Sequence, residues 1–119
     1  MKKLFEKLNK LGYTFTNKRV IGNPAYTSEQ TKNKDLVQEL ALVQDWLLTN
    51  FGIWIAVDWM TRIKPYNSGF YCHLRGTLKA LNQDNFIVIN NTLEPGYEVF
   101  NSPTEAKIAA IEYTINNLI

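Results

Sequence analysis

Apolar residues recur at helical spacing in two segments of the first half of the chain. The first segment has the apolar positions Leu4, Phe5, Leu8 and Leu11. The longer one carries a stripe made of Leu36, Leu40, Val43, Leu47 and Phe51. Three neighbours are expected to widen this stripe: Val37, Ala41 and Trp46. The patterns predict a short helix that ends at Gly12 and a long middle helix that ends at Asn50 or Gly52.

The middle helix has two alternative start signals. Thr27 with Gln30 would form a capping box, in which each side chain bonds the backbone of the other, whereas Asn33 would cap a shorter helix. The sequence leaves both starts open.

The final helix has a clearer start. Ser102 is in the N-cap position, Pro103 takes the first helical position and Glu105 completes a capping box. The apolar stripe that follows consists of Ile108, Ile111, Ile115 and Leu118.

Strand-like segments lie between these last two helices. Four runs are predicted strands: residues 53–60, 70–75, 86–89 and 97–100. The sequence therefore predicts an α+β fold, a two-layer domain in which an antiparallel meander of three or four strands packs against two helices. Within one overall domain, residues 1–34 would form a basic N-terminal helix and extended arm, and residues 35–119 the α+β core.

Length and composition set limits on the class of protein. The chain has 119 residues, of which 45% are hydrophobic and 20% charged, so we expect one folded domain rather than a disordered chain. A single cysteine and a single histidine exclude a disulfide framework and a zinc site of Cys and His ligands from one chain. We predict neither a metal nor a cofactor.

The net charge of +2 conceals an uneven distribution. Residues 1–34 contain eight basic and two acidic residues, whereas residues 35–119 contain five basic and nine acidic ones. The predicted basic patch comprises Lys2, Lys3, Lys7, Lys10, Lys18 and Arg19. This end could bind nucleic acid or an acidic partner, could meet the acidic end of another subunit, or could be a solvated lysine face.

No segment has the pattern of a secretory signal or a membrane span. The longest apolar run is seven residues, 51–57, against about 20 needed to cross a bilayer. Glu6, Lys7 and Lys10 interrupt any apolar signal region. We therefore expect a cytoplasmic protein that is not secreted through a signal peptide and does not lie at a membrane.

Three segments of the chain read LFEKLNKLGYTF, LALVQDWLLTNFGIWIAV and YEVFNSPTEAKIAAIEYTINNLI. Together they resemble a family of short uncharacterised proteins from gut Bacteroidetes and their phages. The resemblance implies an origin and a fold, and carries no activity. It also implies that the protein lies in the interior of a host cell or is associated with a virion.

The order of helix, strands and helix is also similar to the double-stranded-RNA-binding domain. That family begins its last helix with a cluster of lysines that binds RNA phosphates. Here the same turn contains Ser102, Pro103 and Glu105, and only Lys107 nearby is basic. A glutamate would repel phosphate, so the likeness concerns the fold and does not predict RNA binding.

Few residues offer catalytic chemistry. Cys72 and His73 are adjacent, but side chains of successive strand residues point to opposite faces, so a buried free cysteine is expected. Asp58 could pair across the sheet with His73 or Arg75, either as an acid–base group or as a surface ion pair. We predict that the protein is not an enzyme.

The predicted outer face of the sheet is the main candidate surface. The candidate partner-binding residues are Trp54, Asp58, Tyr71, His73 and Arg75. Aromatic and basic side chains on an open sheet can contact a protein or stack on bases. Alternatively, the N-terminal helix and arm, or a second subunit, would cover this face. We predict a small phage-type accessory protein that acts through protein contacts or as a homo-oligomer, with nucleic-acid binding as the alternative.

Overall fold

Three helices and a three-stranded antiparallel sheet make up the computed structural model, which describes residues 2–16, 29–65, 67–77, 86–89 and 99–119. The elements in chain order are α1 (Lys2–Lys10), α2 (Glu29–Phe51), β1 (Ile53–Met60), β2 (Gly69–Gly76), β3 (Phe86–Ile89) and α3 (Pro103–Asn117). The strand order is β1-β2-β3, and both pairings are antiparallel. The predicted α+β class and the antiparallel sheet are confirmed.

The predicted fourth strand falls largely outside the described residues. Of residues 97–100, only Val99 and Phe100 are described, and Phe100 forms a single antiparallel bridge with Phe70. The division of the chain at residue 34 stays a prediction, and α2 runs across that position.

The end of α1 places an aromatic residue in the core. Gly12 has a φ of +105°, a conformation that glycine adopts without strain. The Gly12 N–H bonds the carbonyl of Asn9, and the Tyr13 N–H bonds the carbonyl of Leu8, which together form a Schellman motif. The chain therefore turns sharply after α1, and Tyr13 packs into the same core as Leu8.

The structure excludes one of the two predicted starts of α2. The helix begins at Glu29, so Asn33 lies inside it and the shorter helix is wrong. Thr27 lies outside the described residues. The stripe from Leu36 to Leu47 is buried as predicted, and Phe51 is half-buried.

The predicted widening of this stripe is only partly correct. Trp46 is half-buried and packs against the core, but Val37 and Ala41 are exposed. Val37 and Ala41 directly follow Leu36 and Leu40 in the sequence. Because an α-helix turns by about 100° per residue, their side chains point away from the buried stripe.

The start of α3 differs in one bond from the predicted capping box. Ser102 Oγ accepts the Glu105 N–H at 3.1 Å, as expected of an N-cap. Glu105 Oε2 accepts the N–H of Asn101, at 3.4 Å, rather than that of Ser102. The Glu105 side chain therefore bonds the backbone one residue earlier than the sequence pattern predicts.

One core joins all the elements. The sheet residues Ile55, Cys72, Leu74 and Ile89 belong to the same buried cluster as the apolar faces of α1, α2 and α3. The helix α2 contacts β1, and α3 contacts all three strands. The opposite, outer face of the sheet thus carries the alternate residues of each strand.

Candidate interaction surface

The structure places all the predicted partner-binding residues on this outer face. They are Trp54, Asp58, Tyr71, His73 and Arg75. Trp54 lies directly opposite Arg75, and Asp58 lies directly opposite Tyr71. His73 lies between these two pairs along β2, so the five residues form one continuous group.

Asp58 and His73 are in contact on this face. Asp58 Oδ2 lies 3.0 Å from His73 Nδ1, diagonally across the β1–β2 pair. The His73 side chain is only 13% exposed, whereas that of Asp58 is 49% exposed. The Tyr71 ring meets the imidazole edge to face, with 4.9 Å between ring centroids. An exposed cross-strand pair of this kind contributes about 0.2–1 kcal/mol. Its main effect is to hold His73 in a fixed orientation.

Cys72 points away from His73, as the strand pattern predicts. It is a free cysteine, completely buried among the core residues. Burial raises the pKa of the Cys72 thiol to about 12, against a smaller lowering by Lys107. The thiol is therefore protonated at neutral pH. Because the thiolate is the reactive form of cysteine, Cys72 is a poor nucleophile in the folded protein.

The raised thiol pKa predicts a loss of stability in alkali. The unfolded thiol ionises near pH 9.0 and the folded one only near pH 12, so the folded state holds this proton more tightly. The free energy of unfolding should therefore fall as the pH rises through this window. Urea unfolding of the wild type and of Cys72→Ala at about pH 8 and about pH 11 measures this effect. The decrease should be smaller in Cys72→Ala, and equal decreases would contradict the assignment.

The structure describes only part of the predicted basic patch. Lys3, Lys7 and Lys10 are exposed on α1, and Lys7 Nζ donates a hydrogen bond to Asn116 Oδ1 of α3 at 2.8 Å. Lys2 is the first residue of α1, while Lys18 and Arg19 lie outside the described residues. Since α1 packs on the helices, residues 2–16 do not cover the outer sheet face.

A buried carboxylate was not predicted from the sequence. Glu39 on α2 is 2% exposed and accepts hydrogen bonds from the Tyr13 hydroxyl and, at 3.3 Å, from the Thr16 N–H. Burial, together with the neighbouring Glu39 carboxylate, raises the pKa of the Tyr13 phenol. The available signal was the position of Glu39 beside the apolar stripe, three residues after Leu36. These hydrogen bonds link the segment that follows α1 to α2.

The exposure of large apolar side chains other than Trp54 was a second feature not predicted. Among the described residues, the exposed apolar side chains of α2, β1 and the β1–β2 connection include these five: Val37, Leu48, Trp54, Trp59 and Ile63. Trp59 is 55% exposed although its ring packs edge to face on Phe70, and Ile63 is 86% exposed in the β1–β2 connection. Trp54 lies on the outer face of the sheet, whereas Trp59 alternates with the core residues Ile55 and Val57 and lies on the other face, so the five side chains do not form a single patch.

The comparisons with known proteins add no relative. No family model, curated protein or solved structure matches the chain. Among the residues that the structure describes, no helix combines the length and apolarity needed to span a bilayer. The same residues contain no cluster of three or more metal-ligating side chains.

Proposed function

We propose that the protein is a non-enzymatic interaction module, a small phage-type accessory protein that works by binding protein. The observation that carries this proposal is the exposure of large apolar side chains. Five of them, on α2, β1 and the β1–β2 connection, are exposed, although the same chain buries a well-formed core. Exposure of this extent has a cost in solubility, which a binding role would account for.

The polar groups of the outer sheet face fit the same role. The contact between Asp58 and His73 and the packing of the Tyr71 ring on the imidazole lie beside Trp54, which is 38% exposed. An aromatic anchor surrounded by fixed polar groups is typical of the centre and rim of a protein interface.

Site-specific photo-cross-linking in cells tests the proposal. The photoreactive amino acid p-benzoylphenylalanine would replace Trp54 or Ile63, and as the matched control it would replace Glu112, an exposed residue of α3. We expect protein adducts from the first two positions that are stronger than those from the control position. Adducts that are absent or equal at all three positions would contradict the proposal.

Nucleic-acid binding is the alternative that the exposed lysines of α1 support. A protein that binds DNA or RNA non-specifically reaches dissociation constants of about 10⁻⁴–10⁻⁶ M at physiological salt. A salt titration with generic DNA and RNA therefore complements the cross-linking. Binding in that range, steeply weakened by salt, would favour the alternative, and weaker binding at low salt would disfavour it.

The phage-type origin is the part of the proposal that rests on the resemblance of three segments. Neighbouring genes provide its test. A position among capsid and tail genes supports an accessory role in the particle, whereas a position among replication genes favours the nucleic-acid alternative.

A further inference from the structure

The connection between β1 and β2 is longer than a chain reversal requires. The first strand ends at Met60 and the second begins at Gly69, so eight residues join two strands that pair directly with each other. Connections in β-hairpins usually have about two to five residues. Binding residues are often found on loops that a rigid scaffold holds in place, and the additional length gives this loop room for a binding site.

A cleft of about 730 Å³ lies in this connection. Sites for small molecules typically have volumes of about 300–1,000 Å³. Arg62 is half-buried in the cleft, and the other lining residues are exposed, so a ligand in solution can reach them. We call this site the connection cleft. The described residues that line it are Arg62, Lys64, Pro65, Asn67 and Ser68.

The lining of the connection cleft is basic, although the surrounding part of the chain is acidic. Residues 35–119 contain nine acidic and only five basic residues, and two of these five, Arg62 and Lys64, line the cleft. The sequence of the connection itself, residues 61–68, contains no acidic residue. Two neighbouring cations of this kind attract an anionic ligand.

The donor groups of the cleft suit a phosphate better than a carboxylate. The Arg62 guanidinium is a planar fork of N–H donors that matches phosphate oxygens, and Lys64 adds a compact charge. The Ser68 Oγ accepts the backbone N–H of Arg62 at 2.9 Å, so its hydroxyl proton can donate to a ligand. The Asn67 amide group adds further donors. A phosphate group offers three acceptor oxygens and a charge of about −1.5 to −2 to such a set, whereas a carboxylate offers two oxygens and a single charge.

Both ends of the connection are held in place. At its start, Trp59 Nε1 donates to Thr61 Oγ1 at 3.0 Å. At its end, a Cβ atom on Gly69 would lie 2.6 Å from Val99 Cγ2 and 2.7 Å from the carbonyl oxygen of Phe100, so only glycine fits this close approach. A loop that is fixed before binding loses less conformational entropy when a ligand binds.

We propose that the connection cleft binds the phosphate group of a small organic phosphate. In this arrangement the Arg62 guanidinium and the Lys64 ammonium contact the phosphate oxygens. The volume of the cleft exceeds that of a bare phosphate ion and leaves room for an organic group about the size of a nucleoside, for which the Pro65 ring offers an apolar surface. The site uses none of the predicted partner-binding residues of the outer sheet face, and it therefore goes beyond the proposed function.

Titration of the nitrogen-15-labelled full chain, followed by the NMR signals of its backbone amides, tests the inference. The probes are adenosine monophosphate, inorganic phosphate and adenosine, at constant ionic strength and a pH of about 7.5, where the phosphate group is mostly a dianion. We expect adenosine monophosphate to shift the amide signals of residues 61–69 saturably, with a dissociation constant of about 1 mM or lower. Inorganic phosphate should shift the same signals, and adenosine should bind at least about tenfold more weakly than its monophosphate because it lacks the charged group.

Substitutions test the assigned contacts. Lys64→Ala should raise the dissociation constant of adenosine monophosphate by about fivefold or more, whereas the matched control Lys34→Ala, at an exposed lysine of α2, should change it by less than about twofold. Arg62→Lys keeps the charge but removes the planar fork, so it should also weaken binding. Unchanged amide signals outside the connection would show that each variant is folded.

Two results would overturn the inference. Shifts that do not saturate, or equal effects of Lys64→Ala and Lys34→Ala, would mean adventitious anion binding only. A short single-stranded DNA, titrated in the same way, tests the other source of phosphate. Binding of the DNA that is tighter than that of adenosine monophosphate, with shifts that extend to the amides of α1, would replace the small ligand by the nucleic-acid alternative, and weaker DNA binding would support the small ligand.

Discussion

Replacing Leu47 by alanine should lower the free energy of unfolding by about 2–5 kcal/mol. Leu47 has no exposed surface and lies in the core between α2 and its neighbours. Truncation removes buried methyl groups and leaves a cavity that rigid neighbouring elements cannot fill. Urea unfolding at constant pH, followed by circular dichroism, measures the change.

The adjacent residue provides a closely matched control. Leu48 has the same side chain on the next position of the same helix, but it is 46% exposed. Leu48→Ala should cost less than about 1 kcal/mol, since it creates no cavity. Similar losses for the two variants would mean that Leu48 is also buried, which would contradict its placement on the exposed side of α2.

Tyr13→Phe should lower the free energy of unfolding by about 3 kcal/mol. The substitution removes the hydroxyl that donates to Glu39, a carboxylate that is 2% exposed. A buried charge that loses a donor keeps its full desolvation cost, which is why the loss exceeds that of an ordinary hydrogen bond. The same urea titration measures it.

A double-mutant cycle identifies the cause of this loss. Tyr13→Phe combined with Glu39→Gln should cost less than the sum of the two single variants, because the double variant leaves no buried charge without its donor. Tyr113→Phe, the same chemical change at a residue that is 36% exposed, should stay within about 0.5 kcal/mol. Strict additivity in the cycle would show that Tyr13 and Glu39 act independently.

The sequence predicted the elements of this fold where one physical signal was strong. The buried stripe of α2, the alternation of β1 and β2 and the N-cap at Ser102 each follow from local periodicity or local hydrogen bonding. The side on which α1 packs depends on contacts with α3 and with Glu39, far along the chain, so local patterns could not determine it. Val37 and Ala41 were expected in the core because helical periodicity locates a buried stripe but does not give its width. That width depends on which other elements pack on the helix.

The candidate site was predicted in part. Strand alternation alone placed Trp54, Tyr71 and His73 on one face, and the pairing register then brought Asp58 to His73. The place of β1 at one side of the described three-stranded sheet could not be predicted, because it depends on strand order in space. The hydrogen bond from Gln44 to Ile55 could not be predicted either. A glutamine next to a helical apolar stripe gives the same sequence pattern whether its side chain points to solvent or to a strand.

The two ends of the fold differ in how far apart their contacting residues lie along the chain. Gln44 and Ile55 are 11 residues apart, whereas Lys7 and Asn116 are 109 residues apart. Closing a short loop costs less conformational entropy than closing a long one. We therefore expect α2 and β1 to pair early in folding, and α1 to pack only after α3 has formed. A helix of nine residues is also marginal without its packing partners. We therefore expect α1 to detach by local unfolding while the sheet and α2 stay folded, which would uncover the buried Glu39 before the rest of the core opens.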